Sequence, residues 1–412
     1  MLPQPATPAA RPAAAGLHGS ERALDWFSFF LADVQAGFGP FVAVYLTGQS
    51  WTQVNIGLVL TASGLVALAG QMPAGALVDV VRSARLAAGV ALAAICASAV
   101  AMGFWPIFPV VLGARALHAA ASCVLGPAIA VISLGLVGHA ALGERIGRNA
   151  RFASIGAGAA AVAMGACGYL FSDRAIFFLT ALLVVPALLA LARTQKAAQT
   201  DQVRDCAQGD ASEARHLFCN RQLLIFAGAV ALFQLANAAM LPLMGSIQTM
   251  HSNHSAALVI AACVVVPQLV VVGMAPWVGR QAQFVGRRPL LLLCFIALAI
   301  RAVLFAFVTN SYVVVAVQAL DGISAAILGV MFPLVVADIT RNTGRFSLGL
   351  GIVGSAVGIG ASLSTIVAGY LFDHFGRGIA FFSLAGIATT GVMLVWRLMQ
   401  ESRPGTEAEV PA

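Results

Sequence analysis

The chain has 412 residues, of which 60% are hydrophobic and only 9% are charged, and its mean hydropathy is +0.91. A soluble domain would be about one quarter charged, so these values exclude an ordinary soluble protein. Apolar runs of about 20 residues recur along the whole length and predict an all-α membrane protein. The net charge of +7 does not indicate a nucleic-acid partner, because the basic residues lie between the apolar runs, where membrane topology explains them.

In chain order, the apolar runs predict two six-helix halves. Residues 1–25 are Pro/Ala-rich and are predicted to be a disordered cytoplasmic tail without a cleaved signal peptide. An N-terminal bundle at 26–193, a hydrophilic linker at 194–220, a C-terminal bundle at 221–398 and a tail at 399–412 follow. The twelve predicted spans lie near 26–46, 53–76, 86–105, 108–137, 151–171, 175–193, 221–245, 256–278, 289–308, 311–337, 346–371 and 377–398.

Loop charges predict the orientation. Arginines concentrate in the linker and in alternate loops, including those predicted around Arg145, Arg280 and Arg341, whereas the other loops hold only Arg174 and Arg377. Positive residues favour the cytoplasmic side. We therefore expect a multi-pass protein of a bacterial inner (plasma) membrane, with both termini cytoplasmic.

The two halves repeat each other. The sequence GYLF at 168–171 recurs at 369–372, and the arginine–asparagine pair at 148–149 recurs at 341–342. Two halves related by a parallel repeat are one of the architectures of secondary transporters, whose solute site lies near the middle of the membrane.

These features resemble the major facilitator superfamily over nearly the whole chain. The loop from Gly75 to Arg85 is similar to the family's Gly-x-x-x-Asp-x-x-Gly-Arg-x-x-Arg motif, with Asp79 at the acidic position, and a second copy begins at Gly279 with Gln283 in place of the acid. Arg115 and His118 resemble the family's Arg-x-x-Gln motif. The Gly-Pro motif that many drug/proton antiporters carry in span five is absent.

The resemblance implies twelve membrane helices, with spans 1, 4, 7 and 10 around a central cavity. It also implies that Asp79 lies beside the start of span eleven, near Arg345, in a cytoplasmic latch between helix ends. The alternative for the loop residues is a simple positive-inside anchor, and Gln283 predicts that the two halves latch unequally. The latch candidates are Gly75, Asp79, Arg82, Arg85, Arg148, Arg151, Gly286, Arg287, Arg288, Arg341 and Arg345.

Four charged residues lie deep inside the predicted spans, one acid and one base in each half. An ionised side chain at membrane depth costs at least a few kcal/mol, so we expect Asp33 to pair with Arg115 and Asp321 with Arg301. Each pair is either a coupling group or a structural bridge, and the amides are either cavity residues or interhelical hydrogen-bonding groups. The full set of cavity candidates is Asp33, Gln35, Arg115, His118, Gln234, Asn237, Arg301, Gln318 and Asp321.

The sequence favours a secondary transporter that moves a small organic solute by alternating access, with proton-coupled export as the leading hypothesis. Proton-driven uptake of a nutrient or metal chelate, and a non-transporting receptor on the same fold, are the alternatives. We expect no enzymatic activity, catalytic residue, metal or cofactor, because no phosphate loop, nucleophile motif or ligand cluster is present. The seven cysteines are interpreted as packing residues. The expected partners are a solute, protons and the lipid bilayer, and we expect a monomer.

Overall fold

The computed structural model describes residues 11–36, 41–81, 83–194, 217–251, 256–308, 310–341 and 343–399. Its main helices are α1 (Arg11–Ala36), α2 (Phe41–Gly48), α3 (Gln53–Val80), α4 (Ala84–Phe104), α5 (Phe108–Leu170), α6 (Asp173–Arg193), α7 (Arg221–Asn237), α8 (Met240–His251), α9 (Ala256–Phe284), α10 (Arg287–Phe307), α11 (Ser311–Ile339) and α12 (Phe346–Leu398).

The fold is that of an all-α, multi-pass membrane protein. Within the described residues, nine helices are long and apolar enough to cross a bilayer. Two of them, α5 and α12, are each divided by a glycine with positive φ, Gly138 (φ 69°) and Gly376 (φ 80°). Only glycine adopts this conformation routinely, so each long helix is two straight helices joined at a kink. The count of twelve spans stays a prediction.

The kink at Gly138 corrects the predicted loop between spans four and five. The second part of α5 begins directly after Gly138, so Arg145, Arg148 and Arg151 lie on a helix and not in a loop. These arginines interrupt the apolar run, and for that reason the sequence predicts a loop there. Arg145 is nevertheless buried at 3% exposure, which a helix permits when a counter-charge is close.

The predicted disordered tail is also corrected in part. The first helix, α1, already begins at Arg11, and Leu24 and Asp25 are buried within it. The reason is tertiary: α1 packs against α5 and α6, and these contacts hold residues that composition alone would leave disordered. Residues 1–10 of the predicted tail, 195–216 of the predicted linker and 400–412 at the end lie outside the described residues.

Short polar residues mark several helix starts. The side chains of Ser83, Ser172, Asn220 and Asn310 accept backbone N–H bonds in the first turns of α4, α6, α7 and α11. Such caps satisfy donors that a helix leaves without intrahelical partners. They explain why each apolar run becomes helical directly after its polar loop.

Buried apolar side chains form two main clusters, one from α1–α6 and the other mostly from α7–α12. The two halves meet along two lines of contact, between α3 and α12 and between α5 and α9. We call these the first seam and the second seam. They form the main contact surface between the halves.

Both seams depend on glycine for backbone-to-backbone contact, and they repeat each other. A Cβ atom on Gly75 would lie 2.2 Å from the carbonyl oxygen of Ser347, and one on Gly279 would lie 2.2 Å from that of Gly143. The pairs are related by one offset, because 279 − 75 = 204 and 347 − 143 = 204. The internal repeat seen in the sequence is therefore a repeat of interface geometry.

Candidate functional site

A cavity of about 410 Å³ lies between helices of both halves. It is lined by α1, α3 and both parts of α5 on one side and by α11 and α12 on the other. Its volume is in the range of sites that take small organic ligands. No charged side chain lines this cavity within the described part of the chain. The polar lining consists of Ser28, Gln35, Gln71, Ser122 and Asn149.

Of the predicted cavity residues, only Gln35 lines this cavity. Asp33 lies two residues earlier on α1 and is 3% exposed. Its Oδ1 atom is buried and has no hydrogen-bond partner among the described residues. The carboxyl group is therefore close to the cavity along the chain, in an environment that offers one of its oxygens no donor.

The expected pairing of Asp33 with Arg115 is wrong. The ion pairs of the described residues do not include one between these two side chains. Arg115 is half-buried on α5 and donates from Nη2 to Ser63 Oγ on α3 at 3.2 Å. Pairing depends on which faces of α1 and α5 meet, and periodicity alone does not give that rotation. His118 is buried one turn from Arg115, with Nδ1 3.5 Å from Ser122 Oγ.

In the second half, the structure brings the expected pair together. Arg301 of α10 is 1% exposed and forms an ion pair with Asp321 of α11. Arg301 Nη1 also donates to Asn237 Oδ1 of α7 at 2.7 Å, and its guanidinium carbon lies 5.5 Å from the ring centroid of Phe305. These contacts join three helices of the half through one buried cation.

The remaining two amides differ in exposure. Gln234 on α7 is half-buried. Gln318 on α11, one turn before Asp321, is fully buried, and neither of its side-chain polar atoms has a hydrogen-bond partner among the described residues.

Asp79 lies at the first seam, at the end of α3. Its Oδ1 accepts from the backbone N–H of Ser347 at 3.0 Å, and its Oδ2 accepts from that of Leu348 at 2.8 Å. These are first-turn donors of α12, where a carboxylate is favoured by the helix dipole. Arg345, at the N-cap position of α12, interacts electrostatically with the same carboxylate. We call Asp79 and the two backbone donors the latch.

Arg85 of the first motif copy and Arg148 of α5 contact groups within their own half. Arg85 donates to the carbonyl oxygens of Leu191 and Ala192 at the end of α6. Arg148 pairs with Asp25, and Arg151 is exposed. Arg85 and Arg148 therefore bind groups of their own half, and Arg82 lies outside the described residues.

The second motif copy behaves similarly. Gly286 has a positive φ of 96° before α10. Arg287 is 2% exposed and bonds Asp338 Oδ2 from Nε at 2.9 Å, while Arg288 donates to the carbonyl oxygen of Trp396. Arg341 is exposed after α11. Arg287 and Arg288 therefore brace α10 against α9, α11 and α12 within one half.

At the second seam, the acid of the motif is replaced by an amide. Gln283 donates from Nε2 to the carbonyl oxygen of Ala140, and Arg280 Nη2 lies 3.1 Å from Glu144 Oε1. The motif position therefore carries a donor at one seam and an acceptor at the other, as its residue types dictate.

Several residues of the site were missed by sequence reasoning. Asp25 and Asp338 had been assigned no role, yet each neutralises a buried arginine. Gln71 and Asn149 line the cavity. The available signal was helical spacing, since Asn149 follows Arg145 by four residues and the two contact each other on one helix face.

No group of three or more His, Cys, Asp or Glu side chains arranged to hold a metal ion occurs in the residues that the structure describes.

Comparisons with known proteins identify the family. The Major Facilitator Superfamily model matches residues 26–280 and 226–412. The chain belongs to the major facilitator superfamily. An uncharacterized MFS-type transporter of Mycobacterium tuberculosis is 40% identical over 394 residues, which cover 92% of this chain and 93% of the relative.

Two further comparisons are more distant. The multidrug efflux pump LfrA of Mycolicibacterium smegmatis is 30% identical over 135 residues, covering 33% of this chain and 27% of the pump. The crystal structure of the Escherichia coli fucose:proton symporter FucP matches with a TM-score of 0.73 at 15% identity, over 91% of this chain and 97% of that one. The last likeness shows the fold alone.

The family membership establishes the general activity. This protein is a transporter of the superfamily, it lies in the lipid bilayer as a multi-pass protein, and proteins of this family move small-molecule substrates. The family is not one of enzymes, in agreement with the expectation from the sequence.

Proposed function

We propose that this superfamily member exports a small organic solute from a bacterial cell in exchange for protons. The observation that carries the proton coupling is Asp33, a buried membrane carboxyl group with one oxygen that has no hydrogen-bond partner among the described residues. An ionised carboxylate at membrane depth costs at least a few kcal/mol without a counter-charge. A proton supplies that charge and can be released when water enters.

Asp33 is placed to connect proton binding with solute binding. It lies on α1 two residues before Gln35, which lines the cavity. A charged Asp33 carboxyl group needs more water around it than a neutral one. A change in its charge therefore changes the hydration of α1 next to the cavity. The paired acid of the other half, Asp321, already has Arg301 as its counter-charge and serves as a brace in this scheme.

The latch supplies the conformational part of the mechanism. The segment from Leu68 to Asp79 of α3 is in close contact with the segment from Ser347 to Gly358 of α12. Breaking the two bonds of Asp79 lets these ends separate and opens the cavity on that side. Solute and proton each act by favouring one of the two arrangements.

Loop charges support a cytoplasmic position for the latch and for both termini. The local likeness to a multidrug efflux pump supports export. We propose a monomer in the bacterial inner membrane.

The test measures solute flux in proteoliposomes under an imposed pH gradient. The solute panel begins with fucose and with tetracycline, because a tetracycline resistance protein of Escherichia coli is 31% identical to this chain over 138 residues. An internal pH dye follows the protons. We expect gradient-dependent flux for the wild type and its loss in Asp33→Asn. The matched control is Asp373→Asn, the same chemical change at an exposed site, which keeps the coupling.

Reversing the gradient decides the direction. Solute that moves against the proton flow supports exchange, whereas solute that moves with it supports uptake. If Asp33→Asn retains the gradient dependence of the wild type, Asp33 is not the coupling residue. If no transported solute responds to the gradient, proton coupling itself is wrong.

A further inference from the structure

Asn149 offers the cavity a donor and not an acceptor. Its Oδ1 atom accepts from Arg145 Nε at 3.0 Å and from Arg145 Nη2 at 2.6 Å, which uses both lone pairs of an amide oxygen. Its Nδ2 atom donates to Ser133 Oγ at 2.8 Å. An amide nitrogen carries two hydrogens, so one N–H group of this cavity-lining residue has no partner among the described residues.

The orientation of the amide is imposed by its neighbours. Arg145 is 3% exposed, pairs with Asp25, and donates from Nη1 to the carbonyl oxygen of Glu21 at 3.2 Å. A rotated Asn149 amide would direct its N–H groups at guanidinium N–H groups, which have no acceptor to offer. The buried ion pair therefore fixes which end of the amide faces Arg145.

Ser28 provides the complementary group. Its hydroxyl donates to the carbonyl oxygen of Leu24 at 2.9 Å, and this leaves lone pairs that can only accept. The side chains of Gln35 and Gln71 make no hydrogen bond with described residues and can adapt to either kind of partner. The rest of the lining is mainly apolar and includes Leu31, Phe332 and Leu350.

We propose that the cavity takes an uncharged, largely apolar solute with a carbonyl or ether oxygen, which the free N–H of Asn149 recognises, and a hydroxyl or amine that Ser28 accepts. The proposal deepens the proposed function and depends on it for the existence of an organic solute. A charged solute would find no counter-charge on the described lining, and its desolvation would be uncompensated. Asn149 is thus a specificity-determining residue.

The test is solute binding to the full chain in lipid nanodiscs, with empty nanodiscs subtracted. The probes are flat three-ring aromatic compounds of similar size that differ in charge and polar groups. They are 2-hydroxy-9-fluorenone with donor and acceptor, fluorene with neither, 9-oxofluorene-2-carboxylate as the anion and 10-methylacridinium as the cation.

We expect the wild type to bind 2-hydroxy-9-fluorenone about tenfold more tightly than each of the other three, because one or two matched hydrogen bonds account for such a factor. Equal or tighter binding of the anion or the cation overturns the proposal. This comparison needs no variant and therefore does not depend on how well any variant folds.

Two variants then test Asn149 itself. Asn149→Asp keeps oxygens for Arg145 but loses the free N–H, and we expect an affinity loss of roughly tenfold for the hydroxyfluorenone and none for fluorene. The control is Ser98→Ala, which removes a buried hydroxyl of α4 that donates to the carbonyl oxygen of Ala94 and should change affinity by less than about twofold. Equal affinity of Asn149→Asp and wild type for the hydroxyfluorenone overturns the assignment of Asn149.

Binding in nanodiscs involves no gradient, so this result is independent of proton coupling. A chain that binds the hydroxyfluorenone selectively but shows no gradient-dependent flux sustains the solute class and refutes the coupling. A chain with coupled flux and no selectivity among the four probes sustains the coupling and refutes the solute class.

Discussion

The two seams of this transporter share a backbone geometry and differ in chemistry. Gly351 packs on the carbonyl oxygen of Gln71 at the first seam, as Gly147 packs on that of Ala275 at the second, with the Cβ positions 2.5 and 2.4 Å from those oxygens. The offset of 204 residues holds again, since 351 − 147 = 204 and 275 − 71 = 204. Close glycine contacts are therefore common to both seams, whereas the charged contacts differ between them.

The acids of the two halves differ in the same way. Asp321 is paired with a fully buried arginine, while Asp33 has a buried oxygen without a hydrogen-bond partner in the described part of the chain. Asp321 helps to hold helices of its half together through Arg301, whereas Asp33, the proposed proton site, has no such ion pair among the described residues.

The same substitution in the two acids should have very different effects on stability. Asp321→Asn leaves the 1% exposed Arg301 without its counter-charge, and breaking a buried pair in this way costs roughly 3 kcal/mol of unfolding free energy. Asp33→Asn removes a carboxyl group that forms no ion pair with the described residues, and it should change stability by less than about 1 kcal/mol. Thermal and denaturant unfolding in micelles measure both. Equal losses would contradict the division between a brace and a proton site.

Adding one methyl group at either seam should push the halves apart. Gly75→Ala and Gly279→Ala each place a Cβ atom 2.2 Å from a backbone oxygen, and overpacking of this kind costs about 1–3 kcal/mol. Hydrogen exchange at the start of α12, and at residues 140–147 of α5, should rise in the respective variant. The controls are Gly57→Ala on α3 and Gly273→Ala on α9, which have open space around the added atom. Unchanged hydrogen exchange in both Gly75→Ala and Gly279→Ala would show that the helices do not pack this closely at the seams.

The motif positions should contribute unequally to seam closure. Asp79→Asn removes the charge at the start of α12 and should cost roughly 2 kcal/mol, because charge-assisted hydrogen bonds are stronger than neutral ones. Gln283→Leu removes one neutral bond on the surface and should cost less than about 1 kcal/mol. Hydrogen exchange at Ser347 and Leu348, compared with that at residues 140–147, reports the two effects. A larger effect of Gln283→Leu would reverse the assignment of the latch to the first seam.

Much of this arrangement could be predicted from the sequence. The repeat and the family motif indicated that Asp79 lies at the start of α12, and opposite charges on two neighbouring spans indicated the pair of Arg301 and Asp321. The partner of Asp33 could not be predicted, because the rotation of α1 relative to α5 depends on packing over the whole half. Asn149 was missed for a related reason, since its arginine neighbours were interpreted as loop residues until the kink at Gly138 placed them on a helix.

The exposed ion pair at the second seam should contribute least. Arg280 and Glu144 are 66% and 48% exposed at 3.1 Å, and water and salt screen such pairs to about 0–1 kcal/mol. Arg280→Ala should therefore change hydrogen exchange at residues 140–147 by less than about fivefold, and wild type in high salt should behave like the variant. Arg22→Ala, which removes an exposed arginine of α1, controls for net charge. An effect of Arg280→Ala that exceeds that of Asp79→Asn and persists in high salt would mean that charge closes the second seam too, and the contrast between the seams would fail.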